Sequence, residues 1–577
     1  MISVLFNWLY IAVTTFLVGS GVAAFVRKTF QYQIKDIGCV VALGLLTVTV
    51  YAQVFSLFYK VGAAANIALA VACLVTAVAL RRQIAGVLSK AWQQKGIVWK
   101  LAVLLSVVVW CFCTSRGYMH YDSDLYHAQS IRWIEEYGIV RGLGNIHVRF
   151  AYNSSFFALS ALYSMKFLTG HSLHTVNGLM ALLLWIQVFP LFERGQKGRK
   201  KTLVTDFARL GAFYYLTVIY SDVVSPASDY AIMCVVFFIV IKWLELLERG
   251  ENSAVPYALL CVAGVYAVTL KLTAGLILIL LAKPASMLVR QKRWRDIGIY
   301  LMMGVATIAP WLVRTVILSG YLLYPFPSLD LFDVDWKIGA ASAALDAAEI
   351  KTWGRGLNNA ALVDLPVTQW FPGWFQGSLP MVGKVLVLAD IVCLPIVLAL
   401  IVRMACRIHG TGRTEKKMQE GQFLVLVAVA ASYGFWQFSA PLLRYGYAYV
   451  LLLVMITTGI LCDELIKYFD KWQKKDMIRK IAVFGGMMLF AFSAVKLASL
   501  VRYCCGEAAR QAYVWQQDYG RYELESYEAC GVTFYYPVSG DRTGYDSFPA
   551  VPGRIPVRLR GESVEEGFLD GHNEYEE

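Results

Sequence analysis

Apolar runs of about 20 residues recur along the whole chain, separated by short clusters of Lys and Arg, and that alternation limits what the chain can fold into. A helix of about 20 apolar residues crosses the hydrocarbon core of a bilayer, with every backbone polar group satisfied inside the helix. Suitable runs lie at about 4–26, 37–58, 63–80, 97–115, 203–222, 227–246, 255–270, 272–289, 297–318, 381–404, 421–438, 441–461 and 481–500. Composition agrees: 58% of the 577 residues are hydrophobic and 16% charged, against about 45–50% and about 25% in soluble domains. Too little charge remains to cover soluble domains of this total size, so most of the outer surface is expected to face lipid.

The formal charge of +13 raises the question of a nucleic-acid partner, and its distribution argues against one. The cations form short clusters between apolar runs: Arg27 and Lys28 with Lys35, Arg81 and Arg82 with Lys90 and Lys95, Arg194 to Lys201, Arg290 to Arg295, Arg403 to Lys417, and Lys467 to Lys480. Cytoplasmic loops keep Lys and Arg in this way, whereas a nucleic-acid surface would not be cut by spanning helices. With Arg27 and Lys28 directly after the first run, the N-terminus is expected outside. The first run has no basic residues before it and is too long for a cleavable signal. Placing every later cluster inside requires an odd number of crossings in 151–192. That stretch reads as a partly buried juxtamembrane segment at about 151–168 and one crossing at about 173–192. The expectation is an all-α polytopic protein of about 14 transmembrane helices, in a bacterial plasma (inner) membrane with both termini extracytoplasmic.

The chain divides into a four-helix segment (1–115), an outer loop with an amphipathic helix (116–172), a helical core (173–318), a second outer loop (319–380), further helices (381–500) and an outer tail (501–577). The tail has seven Arg and no Lys, which fits a change of compartment. Its alternations at 532–536 and 555–559 predict a small appendage with strands. Pro325, Pro327 and the aromatic run at 370–375 suit a lid or short surface helices in the second loop. Twelve Cys show no metal or haem spacing. Cys504, Cys505 and Cys530, in the polar tail, are placed where a disulfide is permitted.

The first outer loop carries the densest polar pattern. Asp122 or Ser123 can cap a helix that runs to Tyr137 and stops at Gly138. On that helix Asp122, Gln129, Arg132 and Glu136 share one stripe, and Tyr126, Trp133, Ile134 and Tyr137 another, as in a helix lying in the headgroup plane. Asp122 and Asp124, close together beside His120 and His127, form a pair of carboxylates that their surroundings can orient or activate. Asp122, Asp124 and His127, with His120, are also the ligands that could take a divalent cation, although no conventional metal motif is present. His147, Arg149 and Asn153 continue the polar run. Solvation of a headgroup-facing surface is the plainer account of most of these residues.

Other polar groups are expected on the same face. Asp222 and Asp229 flank a short loop, Lys271 separates two apolar runs, Arg314 lies late in an outgoing helix, and Arg444 follows a helix break at Pro441. Three cations with a carboxylate cluster suit an anionic headgroup such as phosphate; snorkelling explains them more simply.

This arrangement resembles the GT-C superfamily of multi-pass glycosyltransferases, through the acidic pair at 122–124 in a first major outer loop, the helix that continues it, the later outer loops and the C-terminal appendage. The chain is similar, more closely, to an uncharacterised bacterial family of multi-pass membrane proteins. That likeness rests on residues 126–133, 142–145, Arg149, 153–155, 319–325 and 437–444, Tyr324 among them. The GT-C resemblance implies transfer of a sugar from a polyprenyl-phosphate donor to an extracytoplasmic glycan, lipid or protein acceptor. Asp122 or Asp124 would then serve as the carboxylate and Lys271, Arg314 and Arg444 would hold phosphate. His120, His127, Arg132, His147, Arg149, Asn153, Asp222, Asp229 and Tyr324 would shape the acceptor side. Here four runs precede the key loop, whereas the superfamily pattern has one. An oligosaccharide polymerase or ligase using lipid pyrophosphate, and a lipid or glycan transporter, are the alternatives.

Overall fold

The computed structural model describes residues 1–192, 202–408, 413–468, 475–506 and 514–571. It is almost all helix: α1 Ile2–Phe30, α2 Ile37–Ser56, α3 Ala63–Ala79, α4 Arg81–Gln94, α5 Ile97–Ser115, α6 Ala128–Tyr137, α7 Ser155–Tyr163, α8 Lys166–Thr169, α9 Val176–Val188 and α10 Leu203–Val218. There follow α11 Ser228–Glu248, α12 Ala254–Leu270, α13 Ala282–Arg290, α14 Trp294–Ser319, α15 Ala340–Gly354, α16 Val367–Gly373, α17 Met381–Ile408, α18 Arg413–Phe438, α19 Leu443–Tyr468 and α20 Lys475–Gly506.

Ten elements are long and apolar enough to cross a membrane, or eleven if the bent pair α3–α4 counts as one span, among the described residues. The protein is a multi-pass membrane protein. The expected count of about 14 is not reached on length and composition, for a physical reason. α9, α10 and α12 have 13, 16 and 17 residues and are buried by neighbouring helices, so they need not match the thickness of lipid by themselves. α7, at nine residues, is too short to cross. It packs on α2 and α6, with Asn7 Nδ2 donating to Tyr163 O at 2.9 Å and Ser154 Oγ to Leu270 O at 2.8 Å. Residues 151–192 thus hold the short helices α7 and α8 and one longer apolar helix, α9. The basic cluster at 194–201 lies outside the described residues.

α1 and α2 pack with their backbones close. A Cβ on Gly19 would stand 1.9 Å from Val40 O, and one on Gly44 1.7 Å from Thr15 O. Small residues allow this approach between apolar helices. Asp36 starts α2 by accepting the Gly38 and Cys39 N–H groups.

Contacts sort the element ends into two groups. At one end Ser3 N donates to Val514 O, Tyr118 N to Ser221 O, Ile338 N to Ser319 O and Gln517 N to Ser115 O. At the other, Lys242 meets Asp36, Leu203 N donates to Asp463, and Arg403 pairs with Glu464. Loops 116–172 and 319–380 and the tail gather at the first end, as the charge pattern groups them.

The second loop is structured through α15 and α16. In the tail, β1 Leu524–Ala529 pairs antiparallel with β2 Val532–Pro537, and β3 Arg558–Leu559 with β4 Phe568–Leu569. Phe534 and Phe568 bury against Trp133, Leu143, Phe150 and Leu318, which fixes the tail on the first loop. Cys530 is a free, exposed thiol. The side chains of Cys504 and Cys505 lie outside the described residues.

Candidate functional site

The first loop does not begin as a capped α-helix. Residues Ser123–His127 form one π turn that runs into α6, and Asp122 has αR backbone angles and caps nothing with its side chain. π turns are common at functional sites. The wider turn separates the two carboxylates. Asp122 points toward α19 and Asp124 toward the tail.

Asp122 Oδ2 accepts a hydrogen bond from Arg444 NH2 at 2.7 Å, and His120 Nδ1 stands 3.8 Å from the same oxygen. The Arg444 NH1 group contacts His120 Nε2. Arg444 Nε lies 3.5 Å from Asp229 Oδ2, and the other oxygen of Asp229 accepts from Lys271 Nζ. Tyr445 joins both cations: its ring centroid is 3.3 Å from Lys271 Nζ, and its hydroxyl accepts from Arg444 NH2 at 3.0 Å. His120 N donates to Ser225 Oγ, tying the loop to the α10–α11 turn. Two carboxylates and two cations thus form a balanced, interlocked cluster. Asp122 and Arg444 keep 17% and 27% of their side-chain surface exposed, enough for a ligand to reach them.

Folding brings these groups together from four places. Asp229 stands in the first turn of α11. Lys271 sits at the break between α12 and the 3₁₀ stretch Leu272–Leu281, where extended backbone ends the helix. Arg444 opens α19 after the turn at Pro441. Trp374 Nε1 donates to Pro441 O at 3.1 Å and Arg355 NH2 to Phe438 O at 3.2 Å, so the second loop braces that turn.

Burial raises the cost of charge on Asp122, and the Arg444 guanidinium overrides it, holding the carboxyl below its usual range. The carboxylate is therefore ionised at neutral pH. Burial, then Arg444, lowers the pKa of His120, which favours the neutral ring. His127 is buried against Phe157 and Tyr126, and burial pushes it down to about 3.

Asp124 has a different partner set. Oδ1 accepts the Gly520 N–H at 2.9 Å and Oδ2 the Tyr522 hydroxyl at 2.8 Å, while its carbonyl accepts from Thr543 N and Gly544 N. Burial is the main influence on its carboxyl and raises its pKa. Asp124 is a docking point for the tail, not a second carboxylate of the cluster. The polar stripe of α6 behaves likewise. Gln129 Nε2 donates to Gly544 O and Ser547 O, and Arg132 donates to Tyr545 O and Asp546 O. Glu136 pairs with Lys166. The expected headgroup-facing helix is thus covered by the tail on its polar side, because the appendage supplies backbone carbonyls that match that stripe.

Arg314 is also separate from the cluster. It is 3% exposed, with Nε donating to Asn153 Oδ1 at 3.1 Å and NH1 to Ser56 Oγ. Asn153 in turn donates to Trp311 O. Both residues brace α14 against the first loop, and an outside phosphate would not reach a guanidinium so buried. His147 packs on Phe150, and burial lowers it to about 3. Asp222 lies near the cluster without joining it, and burial raises its pKa to about 6. Asp122, Asp124 and His127 do not converge as metal ligands. No group of three or more His, Cys, Asp or Glu suited to a metal occurs among the described residues.

Arg149 borders the cluster, its guanidinium 4.7 Å from the Trp353 ring centroid. Tyr324 donates its hydroxyl to Asp346 Oδ2 at 2.9 Å, and Tyr152 donates to Oδ1 at 2.6 Å. Asp346, Trp353 and Tyr445 escaped sequence reasoning. Tyr445 was legible in principle as the neighbour of Arg444, whereas Asp346 and Trp353 reach the rim only because α15 folds back over the first loop.

The cluster residues, from His120 to Tyr445, all fall within 1–451, whereas the partners of Asp124 fall outside it. No curated protein and no solved structure matches the chain. Residues 1–451 match the model described as Domain of unknown function (DUF8201), and the chain belongs to that family.

Proposed function

We propose that the protein is a membrane glycosyltransferase that takes a sugar from a polyprenyl-phosphate donor at the end of the bundle carrying the two loops and the tail. We place that end outside the cytoplasm, with the short helices α9, α10 and α12 completing 14 passages through a bacterial inner membrane. The observation that carries the reading is the junction of Asp122 with Arg444, beside Lys271 and Asp229, at a partly open surface. An ionised carboxylate next to two cations has the parts for displacement at an anomeric carbon. Asp122 takes the proton of the acceptor hydroxyl, the acceptor oxygen bonds to the anomeric carbon, and the bond from that carbon to the phosphate oxygen breaks. The phosphate leaves with the electron pair, and Arg444 and Lys271 meet its charge. Donor phosphate competing for Arg444 would loosen that residue's hold on Asp122 and make the carboxylate a stronger base. An apolar crevice of 520 Å³ between α1 and α3, lined by Ile2, Phe6, Ile67, Phe167 and Leu173 at the same end, offers room for a polyprenyl chain.

The test is turnover of a radiolabelled polyprenyl-phosphate sugar by purified protein. Asp122→Asn should lose on the order of 10²–10⁴ in rate with unchanged protein yield. Wild-type turnover by that variant would remove Asp122 from the chemistry.

A transporter reading draws on one observation. Asp390, inside α17, is 0% exposed, and neither of its carboxylate oxygens has a hydrogen-bond partner among the described residues. Ionisable groups at such depth serve translocation in many membrane proteins. Movement of a lipid-linked sugar across vesicles without a chemical product, lost in Asp390→Asn, would select that reading.

A further inference from the structure

At the end of the bundle opposite Asp122, a cavity of 550 Å³ opens between the α1–α2 turn and helices α2, α9, α11 and α12. Its volume falls within the range of about 300–1,000 Å³ typical of ligand sites. The inner wall is hydrocarbon, supplied by Leu46, Leu184, Val235, Phe238 and Leu260 from all four helices. The mouth is ionic. Lys242 Nζ lies 2.6 Å from Asp36 Oδ2 and 3.2 Å from Glu245 Oε2, and Arg249 NH2 lies 3.1 Å from Glu245 Oε2. Glu245 also accepts from Arg209 at 2.7 Å, behind the wall. The Lys242 and Glu245 side chains are only 7% and 9% exposed. Asp36 is held in place by the Gly38 and Cys39 N–H groups at the start of α2, which leaves its other oxygen for Lys242.

We propose that this cavity binds a zwitterionic phospholipid, its hydrocarbon chain between α2, α9, α11 and α12 and its headgroup at Lys242, Glu245 and Arg249. The occupant follows from chemistry. A small polar molecule would leave the hydrocarbon wall unfilled, and a purely apolar one would seal buried ion pairs from water without replacing its hydrogen bonds. Among the lining residues, Lys35, Lys242 and Arg249 face Asp36, Glu245 and Glu251, so the mouth offers both signs equally. A headgroup with phosphate and ammonium meets both sets, while an anionic headgroup meets one set and is repelled by the other. The site is remote from the Asp122 cluster, so its test does not depend on the glycosyltransferase reading.

The experiment is native mass spectrometry of delipidated protein titrated with phosphatidylethanolamine or phosphatidylglycerol of identical chains. Wild type should retain one ethanolamine lipid about tenfold more tightly than the glycerol lipid, a difference of about 1.4 kcal/mol. Leu184→Trp, which fills the cavity, should lose that retained lipid, with Leu260→Phe as the milder filling variant if the first fails to fold. Arg249→Gln, at a 42% exposed side chain, should keep the fold and reduce the preference between headgroups. Equal retention of both lipids by wild type would overturn the proposal, as would unchanged retention in a folded filling variant.

Discussion

Arg444→Gln takes a guanidinium away from two carboxylates at once, and the structure sets the size of the effect. The 2.7 Å contact to Asp122 is a charge-assisted hydrogen bond, and Asp229 stands 3.5 Å from Nε. Hydrogen bonds to charged groups contribute about 1.5–3 kcal/mol each. Leaving one member of a fully buried pair alone costs about 3–5 kcal/mol. Here the side chains retain 17% and 27% exposure, so water offsets part of the loss, and about 2 kcal/mol is expected for the single variant. Asp229 keeps Lys271, so most of the loss belongs to Asp122. The sign of the pH effect follows: with Arg444 gone, burial is left as the main influence on Asp122 and its pKa rises. In wild type, stability linked to its charge is present above the ordinary carboxylate value and lost as pH falls through the lower folded value; in the variant the sign reverses, and stability is lost as pH rises through the raised folded value. The assay is a double-mutant cycle with Asp122→Asn, read by reversible SDS unfolding. The double variant should recover about 1–2 kcal/mol relative to additivity. Strict additivity would refute the pairing and the proposed site built on it.

Asp124→Asn should leave the Asp122 cluster assembled but weaken the tail: hydrogen exchange should rise at 520–522 and 543–547, and unchanged protection there would deny the docking role. Buried His127 and His147, each lowered to about 3, bind protons more readily when unfolded. Stability should therefore fall as pH drops below the ordinary histidine value, by about 2 kcal/mol per residue at pH 5. A flat unfolding midpoint between pH 7 and pH 5 would contradict their burial as neutral rings. Gly44→Ala places a methyl against Thr15 O and should cost about 1–3 kcal/mol by forcing α1 and α2 apart; wild-type thermal stability would disprove the close approach.

Much of this protein follows from local physics. A run of 20 apolar residues has few soluble alternatives, so the helices at α1, α2, α5, α11, α14, α17 and α19 could be read directly. The grouping of loop ends followed from the placement of Lys and Arg, and counting those clusters led to the expectation of a non-spanning segment where the nine-residue α7 lies. Gly138, at φ +79°, ended α6 where its chemistry predicted, and the alternation at 532–536 became β2, whereas its partner β1 at 524–529 escaped sequence reasoning and the alternation at 555–559 yielded only the two-residue β3. Contact partners have no such local signature. Asp122 and Asp124 are two residues apart and of the same type, yet the π turn aims one at Arg444, 322 residues away, and the other at Tyr522, 398 residues away. Nothing in the neighbourhood of Arg314 distinguishes it from Arg444 as a phosphate ligand. Burial against Asn153 and Ser56 decided that difference, and burial depends on how α14 packs. Hydropathy and charge act over one helix and are written along the chain, whereas side-chain pairing depends on which helices become neighbours, and that was decided only by the tertiary fold.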